Sequence, residues 1–270
     1  MTDTPILEVE NLEVVYQHAI TAVHGITMTA QAGQIVAILG ANGAGKSTTL
    51  RAISGFLGLD NARVTSGTIR YRGQELRGLQ PHQTTKRGIV LIPERDKVFP
   101  NLTIAENLVA ATPPNIGAHE RQQRESLVYE YFPRIGELRT KEAGLLSGGE
   151  RQMLAIGSAI VCRPELLLID ELSLGLAPII VNDLIRRLME IRQRLNLTIV
   201  LVEQSAAVAL KLADYAYVLE NGRVVIQGKA ADLLNNADVQ RAYLGTAVGD
   251  RKNYRDVLAG RLERRGYAGA

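Results

Sequence analysis

"GANGAGKST", residues 40–48, is the stretch that most limits what this chain can fold into. It fits the pattern G-x-x-x-x-G-K-[ST], with an apolar run (residues 35–39) before it and helix-forming sequence from Lys46 onward. Gly40, Gly43 and Gly45 let the backbone curl so that successive N–H groups face one anion. The positive end of the following helix adds to that field. Lys46 would reach the β- and γ-phosphates of a nucleoside triphosphate, and the Ser47 hydroxyl would ligate Mg²⁺. Asn42, Ala44 and Thr48, in the same loop and first helical turn, complete the expected nucleotide-binding set.

A second motif supplies carboxylates. "LLLIDE", residues 166–171, is four apolar residues followed by two acids. The apolar run buries a strand, and Asp170 emerges at its end, where one carboxylate can hold Mg²⁺ directly or through water. Glu171 is then free to polarise a water for attack on the γ-phosphate. A solvated strand end is the plainer reading of two adjacent acids, but the phosphate loop earlier in the chain argues for the pair. No N-K-x-D for reading guanine is present, which favours ATP over GTP. On these two motifs alone a small-molecule kinase stays open.

Composition excludes several classes. The single cysteine, Cys162, rules out an intramolecular disulfide framework, and no Cys/His cluster suggests a metal site. No apolar run approaches the ~18 residues that cross a bilayer, and the N-terminal sequence lacks a basic and apolar signal. A cytoplasmic protein is expected. The net charge is +3, and residues 246–270 carry six basic side chains against three acidic ones, which accounts for all of it. The body therefore has no excess charge, and no nucleic-acid partner is expected. The tail reads as an amphipathic helix with Tyr254, Val257, Leu258 and Leu262 on one face.

Strand signals at 6–16, 23–30, 35–39, 67–73, 88–93 and 166–169 alternate with helical patterns, which predicts a mostly parallel α/β sheet. Residues about 100–145 interrupt the alternation with helical sequence, including a capping box of Thr103 and Glu106 and an apolar stripe of Leu127, Val128, Tyr131 and Phe132. A helix is expected over 181–195. "YAYVLENGRVVIQG", 215–228, reads as a hairpin with a type I′ turn at Asn221-Gly222. The run 198–202 reads as a buried strand that ends, unusually, in two polar residues, Glu203 and Gln204.

"LLSGGERQMLAIGSAI", 145–160, narrows the class. Ser147, Gly148 and Gly149 stand directly before a helix, forming a second backbone anion nest. One triphosphate rarely needs two nests, so the second would serve a nucleotide held by another subunit. "LSGGE", ending in Glu150, resembles the signature motif of the ATP-binding-cassette (ABC) ATPases, in the order that family requires. The resemblance implies a P-loop cassette: a RecA-like, mostly parallel core, an N-terminal antiparallel β-subdomain and a helical insertion. It implies core segments at 1–94 and 151–245, a helical subdomain with the signature at 95–150, and a basic tail at 246–270. It also implies a head-to-tail dimer with ATP and Mg²⁺ between cassettes, where Ser147 and Gly149 contact the partner's γ-phosphate. Tyr16 matches the aromatic that stacks on adenine; a sheet-edge aromatic is the plain alternative. "SLGLAP", 173–178, matches the D-loop.

"PERDKVFPNLTIAENL", "SLGLAP", "LVEQ" and "YVLENGRVV" look like the second ATP-binding subunit of branched-chain amino-acid uptake systems (LivF-like), over about residues 6–245. Such subunits pair with another ATP-binding subunit beneath two membrane-spanning permease subunits, fed by a periplasmic binding protein. The resemblance therefore places this chain on the inner face of the plasma membrane, with residues 94–110 receiving the permeases through Val98, Phe99 and Leu102. Four positions depart from the general family pattern. Glu94 stands at the Q-loop Gln, where it could still hold Mg²⁺ or water. Leu172 and Ala177 replace the usual Pro and D-loop Asp. Gln204 stands at the switch histidine, as an amide that can hydrogen-bond phosphate or water but cannot gain a proton near neutral pH. A soluble non-transport ATPase, and a catalytically weak regulatory cassette beside an active partner, are the alternatives.

Overall fold

Two strands, β1 (Leu7–Tyr16) and β2 (Ile20–Ala30), pair antiparallel at the N-terminal side of the chain. The computed structural model describes residues 4–17, 19–95, 97–236 and 239–240; the tail 246–270, with its expected amphipathic helix, lies outside the described residues. In β1 the buried positions are Leu7, Val9, Leu12 and Val14. The phase slips once, at Asn11, whose φ of 48° makes a bulge that turns Leu12 inward. The buried strand β3 (Ile35–Gly40) leads into the glycine loop and α1 (Lys46–Ser54). The next strand, β4 (Ala62–Tyr71), begins five residues before the expected start at 67. Gly67, at that expected start, instead lies within the strand at φ +86°, past the bulge, and a Cβ there would come within 2.4 Å of the Glu10 and Asn11 carbonyls. With the short β5 (Gln74–Glu75) these strands make an antiparallel sheet ordered β2-β1-β4-β5.

The chain continues through α2 (Pro81–Lys86) and β6 (Ile89–Ile92) into a helical stretch: α3 (Ile104–Ala111), α4 (Ala118–Tyr131), α5 (Pro133–Glu137) and α6 (Gly148–Ile160). Thr103 and Glu106 cap α3 reciprocally, as the sequence predicts. Of the predicted apolar stripe, Val128, Tyr131 and Phe132 are buried and Leu127 is partly so. β7 (Leu166–Asp170), α7 (Pro178–Leu195), β8 (Thr198–Glu203), α8 (Ala206–Leu212), β9 (Tyr215–Glu220), β10 (Arg223–Lys229) and α9 (Ala230–Leu234) complete the described elements. Helix α7 starts three residues before the expected 181, because Pro178 suits the first helical position. Asn221 and Gly222 both have positive φ, the type I′ geometry expected of the hairpin.

The second sheet is ordered β10-β9-β3-β8-β7-β6, parallel except for β10. Both faces are covered, so its strands read as apolar runs. Alternation still sorts them. Leu167, Ile169, Ile199 and Leu201 join a core with α6, α7 and α8, whereas Leu166, Leu168, Val200 and Val202 join the core shared with α1 and the antiparallel sheet. That period of two fixes which way each strand-end side chain points. Among the described residues no helix is long and apolar enough to cross a membrane.

Candidate nucleotide site

The glycine loop is held by close approaches that only glycine permits. A Cβ on Gly40 would lie 2.3 Å from the Leu219 carbonyl oxygen, and one on Gly45 would lie 2.8 Å from that of Ala22. The hairpin turn braces the loop from behind: Gly222 N donates to Ala44 O at 3.1 Å. Lys46 folds back over this curl, and its Nζ donates to Gly40 O at 2.9 Å and Ala41 O at 3.2 Å. Burial pushes its pKa down, against the pull of Glu171, Asp170, Glu203 and Glu94.

A cavity of about 390 Å³ opens beside this loop, and nine of the predicted site residues line it: Asn42, Gly43, Gly45, Lys46, Ser47, Thr48, Glu94, Glu171 and Gln204. Ala22 and Arg95 complete the wall. Gly40 and Ala44 do not line it; their carbonyls accept from Lys46 Nζ and Gly222 N. Asp170 continues the face of Leu166 and Leu168 toward α1, where its Oδ1 accepts from Ser47 Oγ at 2.8 Å. Tyr16 is not in the wall; its hydroxyl shares a hydrogen bond of 3.2 Å with Thr48 Oγ1. That bond sets the ring beside the first turn of α1.

Glu171 follows β7 in the left-handed region, at φ 62°, with its N–H bonded to Val202 O at 3.0 Å. The turn swings its carboxyl into the cavity while leaving the residue 5 % exposed. Burial, then the charge of Glu203, pushes its pKa up to about 7, against Lys46 and a hydrogen bond from the Gln204 backbone. Asp170 is also raised, chiefly by burial, and lowered by its bond from Ser47. A carboxyl poised near neutrality is suited to accept a proton from water.

The residues present fit Mg²⁺. The Ser47 hydroxyl and the Asp170 carboxylate already meet at one point, and Glu94 opens on the same cavity. All are hard oxygen donors. Among the described residues no group of three or more His, Cys, Asp or Glu could hold a metal by itself. A site with few protein oxygens suits a cation that takes its remaining ligands from phosphate and water.

The signature residues stand apart from this cavity, at the start of α6. Ser147 caps that helix: its Oγ accepts from Glu150 N at 3.3 Å, and Glu150 Oε2 accepts from Ser147 N at 2.9 Å. Arg134 Nε donates to the other Glu150 oxygen at 3.0 Å, so the Glu150 carboxylate is committed within its own subunit. Gly148 and Gly149 sit against the segment after β7. A Cβ on them would meet Leu176 at 3.2 Å and Ile180 at 2.7 Å. Ala177, in place of the usual Asp, leaves the N-terminus of α7 without a side-chain cap.

One participant stands out in the sequence without acquiring a role there. Glu203 is 0 % exposed, and it accepts from Leu172 N and Ser173 N, each at 2.9 Å, and from Ser173 Oγ at 2.8 Å. The signal for it was the acid closing an otherwise apolar strand.

A phosphate-binding loop leaving one parallel strand, and an acidic pair leaving a strand one place removed, define a P-loop nucleoside triphosphatase. The model of the family "ABC transporter" matches residues 23–173. The high-affinity branched-chain amino acid transport ATP-binding protein BraG of Pseudomonas aeruginosa is 46% identical over 230 residues, covering 85% of this chain and 96% of that protein. The probable branched-chain amino acid transport ATP-binding protein LivF of Archaeoglobus fulgidus is 39% identical, covering 78% of this chain and 87% of its own. A second ATP-binding protein from P. aeruginosa, BraF, is 30% identical, covering 90% and 99%. Among solved structures, cbiO1 of Clostridium perfringens superposes with a TM-score of 0.76 at 25% identity, covering 97% of this chain and 98% of that one. A dimeric ATP-binding cassette bound to ADP and Pi superposes at 0.71 with 22% identity, covering 83% and 98%, a likeness of fold. The chain belongs to the ABC transporter family, as an ATP-binding subunit that hydrolyses ATP.

Proposed function

We propose that this chain energises import of branched-chain or other amino acids, binding ATP between itself and a second ATP-binding subunit. The observation that carries the catalytic part is that Lys46, Ser47, Glu171 and Gln204 open on one cavity. The amide-lined loop and Lys46 bind and orient the phosphates. Lys46 exchanges its bonds to Gly40 O and Ala41 O for phosphate oxygens. Ser47, Asp170 and Glu94 would hold Mg²⁺, which neutralises phosphate charge when bound. Glu171 accepts the proton of the attacking water, and Gln204 positions that water or the γ-phosphate through its amide. Tyr16, beside Thr48, is the candidate for adenine stacking.

Exposed apolar side chains support a subunit interface around the signature. Leu145, Leu174 and Ile179 are 66, 53 and 76% exposed, and they flank Ser147 and the 173–178 segment. There Ser147, Gly148 and Gly149 would meet the partner's nucleotide. The helical subdomain, 95–150, would dock two permease subunits at 94–110. Of the three apolar residues expected there, Phe99 is 60% exposed, whereas Val98 packs against the core and Leu102 is half-buried. Lys97 Nζ donates to Gln152 Oε1 at 2.6 Å, which ties this docking loop to the signature helix α6. Binding at a periplasmic protein would reach the chain only through the permeases, and its station would be the inner face of the membrane.

The test is uptake of labelled leucine, isoleucine and valine, with ATP turnover, by the reconstituted transporter. Glu171→Gln should abolish both while ATP still binds. Unchanged turnover would assign hydrolysis to the partner's site and make this subunit regulatory. Loss of turnover without any amino-acid uptake by the native complex would overturn the substrate class.

A further inference from the structure

Strand alternation sends Glu203 to the face of Ile199 and Leu201, into the core beside α6 and α7. An apolar side chain would fill that position at no electrostatic cost, whereas a buried carboxylate costs free energy unless donors meet it. The donors that meet Glu203 come from one place. Its Oε1 accepts from Leu172 N and Ser173 N at 2.9 Å each, and its Oε2 from Ser173 Oγ at 2.8 Å. Leu172 and Ser173 are the two residues directly after Glu171. On the other side, Glu171 N is bonded to Val202 O at 3.0 Å. Consecutive residues of β8 therefore pin the backbone on both sides of Glu171. Between those pins Glu171 keeps φ at 62°, a conformation that a non-glycine residue holds only when its surroundings over-determine it. The same brace fixes Ser173, the start of the segment whose Leu176 and Ile180 lie against Gly148 and Gly149.

We propose that Glu203 is a positioning residue for ATP hydrolysis: its buried carboxylate holds the Leu172–Ser173 backbone and so aims Glu171 into the nucleotide cavity. This rests on the reading of Glu171 as the base. A residue of purely structural role would be replaced without catalytic loss by any side chain that keeps the fold. A positioning residue would not.

The experiment compares Glu203→Leu, Glu203→Gln, Ser173→Ala and Glu171→Gln in the assembled transporter, by thermal unfolding, ATP affinity, kcat and KM. Glu203→Leu fills the same volume without acceptors, and it should lower kcat at least about tenfold with KM within about twofold and Tm not reduced. Glu203→Gln keeps an oxygen that both amides can reach, and it should restore kcat to within about threefold of the native value. Ser173→Ala removes one donor of the three and should cost about two- to threefold in kcat at unchanged KM. Native kcat in a folded Glu203→Leu protein overturns the proposal, as does a loss confined to KM or Tm. Should Glu203→Leu not fold, native kcat in Ser173→Ala overturns it instead. Loss in Glu171→Gln without loss in the Glu203 variants sinks this inference alone. Native turnover in Glu171→Gln sinks the reading of the base, and the positioning role with it.

Discussion

Gln204 Nε2 donates to Asn42 Oδ1 at 2.7 Å, across 162 residues of sequence. The bond joins the residue after β8 to the phosphate loop after β3, and it is possible because the two strands are adjacent, with Leu39 opposite Glu203. The preceding side chain, Glu203, points to the other neighbour and holds the loop after β7. Two consecutive polar residues thus tie a central strand to the exits of both flanking strands. Gln204 is thereby held beside the glycine loop before any nucleotide enters, as the proposed phosphate-positioning role requires.

Gln204→Ala should lower turnover by about tenfold, the scale for loss of one positioned donor, with little change in the shape of the pH profile. Gln204→His should be tolerated, and should add a second ionisation, between about pH 6 and 7, to the one expected of Glu171. Steady-state kinetics from pH 6 to 9 check both. An inactive His variant would sink the idea that this position orients rather than exchanges protons.

Glu171 makes the nucleotide-free protein sensitive to pH. Burial raises its folded pKa from the ordinary 4.5 to about 7, so the folded state binds more protons than the unfolded chain between those values. Its contribution to stability is full below about pH 4.5 and is lost as pH rises through about 7. Glu171→Gln removes this loss. Relative to the native protein, the variant should gain on the order of 2 kcal/mol between pH 5 and pH 8. Urea unfolding at the two pH values, without Mg²⁺ or nucleotide, measures the difference; equal gains at both pH values would contradict it.

Ser47 and Asp170 meet at 2.8 Å, so each should matter chiefly for the metal. Chelation of Mg²⁺ should abolish turnover, and Asp170→Asn should raise the Mg²⁺ concentration for half-maximal rate by about tenfold or more. Titration of turnover against Mg²⁺ at fixed ATP reads this directly. An unchanged midpoint in Asp170→Asn would place the metal elsewhere.

Ser147 caps α6, and the phosphate role proposed for it is separable from that. As the cap of α6 it satisfies Glu150 N, so Ser147→Ala should cost about 1 kcal/mol of stability. For a chain of this size that is a fall in Tm of about 2–4 °C. Ser147→Asp keeps a capping oxygen and should restore Tm, but it sets a negative charge where a phosphate is expected, so turnover should stay low. Recovery of turnover along with Tm would reduce Ser147 to a cap.

Local motifs were legible because their physics is local. The curl of 40–48 needs only its glycines and the helix that follows, and the boxes of Thr103 with Glu106 and of Ser147 with Glu150 close within one turn. The Asn221-Gly222 turn likewise follows from two positive φ values. The family likeness rested on those same strings, and it carried the fold and the ATP-hydrolysing role with it. Where a strand pattern depended on a partner, the reading fell short: β4 runs through Gly67 because β1 bulges opposite it, which the local sequence alone does not reveal.

The sequence by itself determined that this chain binds a nucleoside triphosphate, since a phosphate nest and an acidic strand end are written in consecutive residues. Tertiary structure decided how those pieces are held. The order β3-β8-β7 sets Gln204 against Asn42 and Glu203 against Ser173, and it delivers Asp170 to Ser47 across 123 residues. Side-chain alternation tells which face a residue takes, but only the choice of neighbouring strands tells what it finds there. That choice is settled by burial of two apolar faces over the whole sheet, a sum over distant residues that no short stretch records.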